Sequence, residues 1–203
     1  MEMKLSKLMC DSTEGDGKAE IVMDYVMSFS LRHATREHNN QPILYQYCRY
    51  MLYKLLQINI PLEQIVFEDV KVWKEWYNID LSVEVSMTYE GKQYEYALLI
   101  ENKYYTPLHN SRGRDGEYHN QLDIYKQRFE NHYADKKLEL KYALVSCLDS
   151  AEEKIHNYDE AKKYGFEVFG FYDIIDERLW HEDTHLYTDS ESDIFNEFWL
   201  RKW

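Results

Sequence analysis

Apolar residues recur at helical spacing in the first part of the chain, and then the period changes. From Ala19 to about Glu37, Val22, Tyr25, Val26 and Phe29 fall on one stripe, which predicts a helix. The stretch "NNQP" breaks it. Pro42 suits the start of a second helix, along which Leu44, Cys48, Met51, Leu52 and Leu55 repeat, with Pro61 beyond its end. From there the period drops to two. Residues 65–73 read as a strand. In 79–88, Leu81, Val83, Val85 and Met87 alternate with polar neighbours, "YEGK" marks a hairpin turn, and 93–103 returns as the next strand.

The second half alternates helices and strands. A glycine-rich loop, "SRGRDG", precedes a helix marked by Tyr118, Leu122, Tyr125, Phe129 and Tyr133. "KYALVSCL" reads as a strand, 151–164 as a helix, and "FEVFGFYDI" as a further strand. Residues 191–203 form a short aromatic helix. This order predicts an α/β fold in which helices flank a mixed central sheet containing an antiparallel meander. Residues 10–18, "CDSTEGDGK", predict a flexible segment. We therefore divide the chain into an N-terminal lead-in, 1–17, and one domain, 18–203.

The strand ending "ALLIENK" carries the candidate chemistry. A two-residue turn on Glu90-Gly91 sets Tyr89 against Lys92. Counting back along both strands then sets Asp80 against Glu101. Residues opposed in this way share a face, with Cβ atoms about 5 Å apart, and Lys103 lies on the same face. Two opposed carboxylates repel. A divalent cation such as Mg²⁺ or Mn²⁺, held by Asp80 and Glu101, would justify them. Lys103 could then orient a water or stabilise charge developing on a phosphoryl group. The alternative needs no metal: Lys103 neutralises two edge carboxylates at a solvated sheet end.

The run Leu99-Ile100-Glu101-Asn102-Lys103, with Asp80 before the hairpin and Gln121-Leu122-x-x-Tyr125 on the following helix, resembles the PD-(D/E)XK nuclease superfamily. It is most similar to the branch with an IENK … QLxxY signature. The resemblance spans roughly residues 18–175. It implies a restriction-endonuclease-like core and a Mg²⁺-dependent hydrolase acting on DNA phosphodiester bonds. Asp80 and Glu101 would be the metal ligands and Lys103 the catalytic lysine. Gln121 and Tyr125 would be the helix motif, and a further acid would come from the first helix: Glu20, with Glu37 and Glu68 as weaker candidates. Ile79 stands where the family name has proline.

Gln121 and Tyr125, four apart, share a helix face, and Tyr125 also lies on the apolar stripe. Arg112 and Arg114, flanked by glycines, are candidate phosphate contacts. A competing motif, "HEDTH", fits the zinc-peptidase pattern H-E-x-x-H through His181, Glu182 and His185. Its Asp183-Thr184 pair suits a helix interior poorly, and Thr188 and Glu191 do not supply the extended version.

Composition narrows the picture. The 203 residues are 44% hydrophobic and 16% aromatic, with 19 tyrosines, enough for a full core. A net charge of −13 argues against a broad non-specific grip on DNA and keeps open a non-catalytic binding or regulatory module on the same fold. Cys10, Cys48 and Cys147 form no C-x-x-C pair and are expected to be reduced, as in a cytoplasmic protein. No signal peptide or membrane span is expected. "FNEFWLRKW" is expected to dock on the chain's own core, while a homodimer or a partner protein stays open.

Overall fold

The computed structural model describes residues 6–8, 18–104, 106–112, 117–147 and 158–201. Helices α1 (Lys18–Arg32) and α2 (Pro42–Leu55) precede three long strands, β1 (Ile65–Trp76), β2 (Ile79–Tyr89) and β3 (Lys92–Lys103). Two short strands follow, β4 (Asn110–Arg112) and β5 (Tyr118–Asn120), then α3 (Gln121–Tyr133) and β6 (Glu139–Ser146). A helical stretch at 158–163 (α4), β7 (Glu167–Gly170), a two-strand hairpin of β8 (Trp180–His181) and β9 (Leu186–Tyr187), and α5 (Asp193–Trp199) complete the order.

The five-stranded sheet has the order β1-β2-β3-β6-β7. The first three strands are antiparallel; β6 runs parallel to β3, and β7 parallel to β6. The expected α/β fold, with a mixed sheet, a meander and flanking helices, is what forms.

Two-residue turns build the meander. Glu90 (φ 47°) and Gly91 (φ 72°) both take left-handed backbone, as do Tyr77 (φ 55°) and Asn78 (φ 67°). That pattern matches the twist of paired strands and so fixes their register. The second turn, at Tyr77-Asn78, lacks glycine and was not legible as a turn in the sequence.

The sheet buries both faces. Leu81, Val83, Val85, Leu98, Ile100, Ala143 and Val145 pack beneath α1 and α2. Ala97, Leu99 and Leu144 pack on the other side against Leu122, Tyr125, Phe129 and Tyr133 of α3. β3 is the middle strand, so Ala97–Lys103 is buried on both sides. This is why "ALLI" is continuous instead of alternating.

Several boundaries differ from the expectation. α1 stops at Arg32, not near Glu37, because the chain turns through buried Ala34 and goes extended at Thr35 (φ −80°, ψ 154°) before a short 3-10 turn, Arg36–His38. Its buried stripe is Met23, Val26, Met27 and Leu31, whereas Tyr25 points outward. Tyr118 is not helical. It lies in β5, and α3 begins at Gln121 because the Asn120 side chain accepts from Leu122 N at 2.9 Å and caps the helix there. "FEVFGFYDI" is a strand only to Gly170. The Asp173 carboxylate accepts from Gly170 N at 2.7 Å and turns the chain into a 3-10 segment. The 151–164 helix is seen at 158–163; residues 151–157 lie outside the described residues, as do 10–17 of the lead-in.

α2 starts with Pro42 as expected, and its free N–H groups at Ile43 and Leu44 donate to the Glu191 carboxylate at 3.2 and 2.9 Å. α5 is shorter than 191–203. Ser192 caps it, and Phe195, Phe198 and Trp199 are buried in the chain's own core, with Trp199 Nε1 donating to Ser30 Oγ at 3.1 Å. Cys48 and Cys147 form no disulfide among the described residues. Among the described residues no helix is long and apolar enough to cross a membrane.

The turn at Gly91 is testable. Gly91→Val forces a β-branched residue into left-handed backbone and should cost about 1–2 kcal/mol, read as a lowered midpoint in urea. Gly91→Asn should cost much less.

Candidate functional site at the open end of the central hairpin

The apolar ladder of β2 and β3 runs from Tyr89 against Lys92 to Leu81 against Ile100. The same register carried one step further sets Asp80 beside Glu101, close enough for their charges to interact. The Asp80 carboxylate accepts from Asn102 N at 2.8 Å, which ties β2 to the end of β3.

Alternation then divides three consecutive polar residues between the two faces. Glu101 and Lys103 point toward α3, and Lys103 Nζ lies 2.7 Å from Glu101 Oε1. The same oxygen accepts from Gln121 Nε2. Gln121 is itself fixed by the loop before it: its N donates to His109 O and its Oε1 accepts from His109 N, both at 3.1 Å. Glu101 Oε2 is buried and has no hydrogen-bond partner among the described residues.

Asn102 points the other way, toward α1. Its Nδ2 donates to Asp24 Oδ1 at 2.8 Å, and its buried Oδ1 has no partner among the described residues. One turn earlier on α1, the Glu20 carboxylate accepts from Tyr104 N at 3.0 Å and from the Thr106 hydroxyl, clamping the chain as it leaves β3.

The electrostatics follow from crowding acids into a half-dry space. Burial raises Asp80 well above the ordinary carboxylate range, and the charge of Glu101 adds to it. Burial lifts Glu101 to about 7 against the pull of Lys103. Asp24 also rises to about 7, through burial first and Asp80 second, despite its bond from Asn102. Burial alone would lower Lys103. Glu101 beside it, with Glu20 and Asp80 nearby, outweighs that effect and keeps the ammonium charged. Lys103, with Lys74 acting on Asp24, does not offset the burial of these acids, so all three stay raised. Tyr125, one turn after Gln121, is largely buried and is pushed up to about 12 by burial and by Glu101 and Asp80.

The structure therefore brings together Asp80, Glu101, Lys103, Gln121, Tyr125 and Glu20. Glu37 instead pairs with His38 at 3.4 Å in the 3-10 turn, and exposed Glu68 occupies an irregularity in β1. Arg112 lies in β4, but its side chain, like all of Arg114, falls outside the described residues. Among the described residues no group of three or more His, Cys, Asp or Glu side chains could hold a metal ion. What is present is an opposed pair with one unpartnered oxygen.

His181 and His185 sit on and beside the β8–β9 hairpin, and His181 Nε2 lies 2.7 Å from Thr188 Oγ1. The helix that H-E-x-x-H requires is absent there.

Comparison with family models, with curated proteins and with solved structures finds no match to this chain. The site is thus argued from its geometry.

Sequence reasoning missed Asp24 and gave Asn102 no role. A signal for Asp24 existed: Glu20 and Asp24 are four apart, so both face the same way from α1. Asn102 is harder to foresee, because its partner lies across the sheet.

The raised acid predicts a pH effect. The folded-state pKa of Asp24, about 7, exceeds its ordinary value of 3.8, so its ionised form costs stability above pH 7. That cost shrinks as pH falls from about 7 and is gone near 4. Asp24→Asn keeps an acceptor for Asn102 and should raise the melting temperature by several degrees at pH 8. The advantage should narrow below pH 7 and disappear near pH 4, as followed by calorimetry in EDTA.

Proposed function

We propose that this chain is a metal-dependent nuclease of the PD-(D/E)XK class, built on a restriction-endonuclease-like core and hydrolysing phosphodiester bonds of DNA. The observation that carries the proposal is Glu101: a buried carboxylate with one oxygen held by Lys103 and Gln121, the other without a partner, and Asp80 opposed to it across the hairpin. Such a pair has the donor chemistry for a hard divalent cation that keeps most of its waters. Mg²⁺ or Mn²⁺ held by Asp80 and Glu101 would polarise a phosphoryl oxygen and lower the pKa of a bound water.

The chain's own residues do the rest. Lys103 stays protonated and presents an ammonium beside the carboxylates, where negative charge develops during phosphoryl transfer. Gln121 orients Glu101 by donating to one oxygen and leaves the other, buried oxygen without a hydrogen-bond partner among the described residues. Glu20 holds Tyr104 N and so positions the end of β3 that carries Lys103. Tyr125, one turn after Gln121, packs into the core beneath the site. A cation shared between the opposed acids, which are costly in the free protein, would offset their repulsion and favour their ionised forms.

A second reading is a non-catalytic binding or regulatory module. It is favoured by the contact between Lys103 and Glu101, which pairs that carboxylate with a cation of the chain's own. Cleavage separates the two. With Mg²⁺ or Mn²⁺, the purified chain should cut DNA, and EDTA should stop it. Lys103→Met and Asp80→Ala should each lower the rate by at least about 10²-fold while circular dichroism stays unchanged. Full activity in Lys103→Met removes it from the mechanism. No cleavage of single-stranded, duplex or branched DNA in either metal leaves the binding module.

A further inference from the structure

Asp24 plays no part in the reading above, although it is an acid buried where α1 meets the sheet. Its neighbours along the helix, Met23, Val26 and Met27, belong to the apolar core. An apolar side chain would bury there at lower cost. A carboxylate kept from water carries a desolvation penalty that the bond from Asn102 does not offset.

The contact it makes leads to the candidate metal ligands. Asn102 Nδ2 donates to Asp24 Oδ1 at 2.8 Å, and Asn102 Oδ1 has no partner among the described residues, so the amide is held through Asp24. The backbone N–H of the same residue donates to the Asp80 carboxylate at 2.8 Å. The regular ladder between β2 and β3 stops at Leu81 against Ile100, and this bond fastens the next residue, Asp80, to β3. The contacts therefore run from α1 through β3 to β2.

Spacing extends the grip to Lys103. Glu20 and Asp24 are four apart on α1, about 6 Å along the helix axis. Asn102 and Tyr104 are two apart, about 6.6 Å of extended chain. The two acids thus match the two residues that flank Lys103. Asp24 takes the side chain of Asn102, and Glu20 takes the N–H of Tyr104 at 3.0 Å.

We infer that Asp24 is a positioning residue of the site: by holding the Asn102 side chain from α1 it fixes the peptide whose N–H seats Asp80, and with Glu20 it sets the residues on either side of Lys103. What the site does with a metal rests on the nuclease reading above; the seating of Asp80 rests on the hydrogen bonds alone. A bond between two buried groups is stiff, because no water competes for either partner. Groups that orient a metal ligand in this way commonly control affinity by about 10- to 100-fold without touching the ion.

The test compares two substitutions that remove the same charge. Asp24→Asn keeps an acceptor for Asn102, and Asp24→Leu does not. In the metal-free chain, hydrogen exchange by NMR should show the Asn102 backbone amide opening about tenfold faster in Asp24→Leu, relative to the amides of Val83 and Val85, and nearly unchanged in Asp24→Asn. Mn²⁺ affinity, read by electron paramagnetic resonance, should fall by about tenfold in Asp24→Leu and by less than about threefold in Asp24→Asn. Asn102→Ala removes the other half of the contact and should lose as much. The double variant Asp24→Leu/Asn102→Ala leaves neither partner buried and unpaired, which favours its folding, and should lose no more than either single change.

Unchanged Mn²⁺ affinity in Asp24→Leu, with a wild type that binds the ion, overturns the inference, as does unchanged relative exchange at Asn102. Equal losses in Asp24→Asn and Asp24→Leu also overturn it, because they assign the effect to charge. Additive losses in the double variant overturn the route through Asn102. No Mn²⁺ binding in any variant, with exchange at Asn102 as stated, removes the nuclease reading alone and leaves Asp24 as the residue that seats Asp80.

Discussion

The register of the β2–β3 hairpin is the constraint on which the rest of the site depends. A two-residue turn with left-handed backbone at Glu90 and Gly91 locks Tyr89 against Lys92, and the ladder transmits that choice to the far end. A slip of one residue would turn Leu98 and Ile100 away from α1 and α2, and would place Asp80 and Glu101 on opposite faces. Core burial and site geometry are therefore enforced by the same pairing. The large apolar area that β2 and β3 bury holds two mutually repelling acids in place.

The consequence is an electrostatic deficit designed into the sheet end. Asp80, Glu101, Asp24 and Glu20 lie within reach of each other's fields, and Lys103 is the one ammonium whose charge draws on most of them. Burial denies the acids the water that would otherwise screen them. Protonation near neutral pH is one way to settle the imbalance, and a shared divalent cation is another. An ordinary structural ion pair would match its charges and leave no oxygen unsatisfied; here Glu101 Oε2 and Asn102 Oδ1 are both left over.

What the sequence made legible was periodic or local. Alternation in β2 and the Glu90-Gly91 turn were enough to set Asp80 opposite Glu101, because both depend only on neighbours along the chain. The boundary of α3 was not legible: Tyr118 and Leu122 are four apart and imitate a helical stripe, whereas the decision belongs to the Asn120 side chain. Tyr25 misled for a related reason. It sits beside Val26 in a stripe that periodicity fits equally well, but the side chains that reach the core are Met23, Val26 and Met27. Asp24 was obscured by the same apolar context. Its partner, Asn102, lies on a strand reached only after two helices and a hairpin, and no local pattern announces such a pairing.

The placement of Asn102 between Glu101 and Lys103 has a structural consequence of its own. Alternation makes β3 a partition: Glu101 is held from the α3 side by Gln121 and pairs with Lys103, and Asn102 is held from the α1 side by Asp24. Neither helix alone satisfies the end of the strand. The polar residues there cannot be rearranged on one face without disturbing the other, because the Asn102 backbone N–H also serves Asp80. A fold selected only for stability would replace these residues with apolar ones and continue the run Ala97–Ile100. Their presence on the middle strand of the sheet, at the expense of stability near neutral pH, is a local departure from the consistency that the rest of the core keeps.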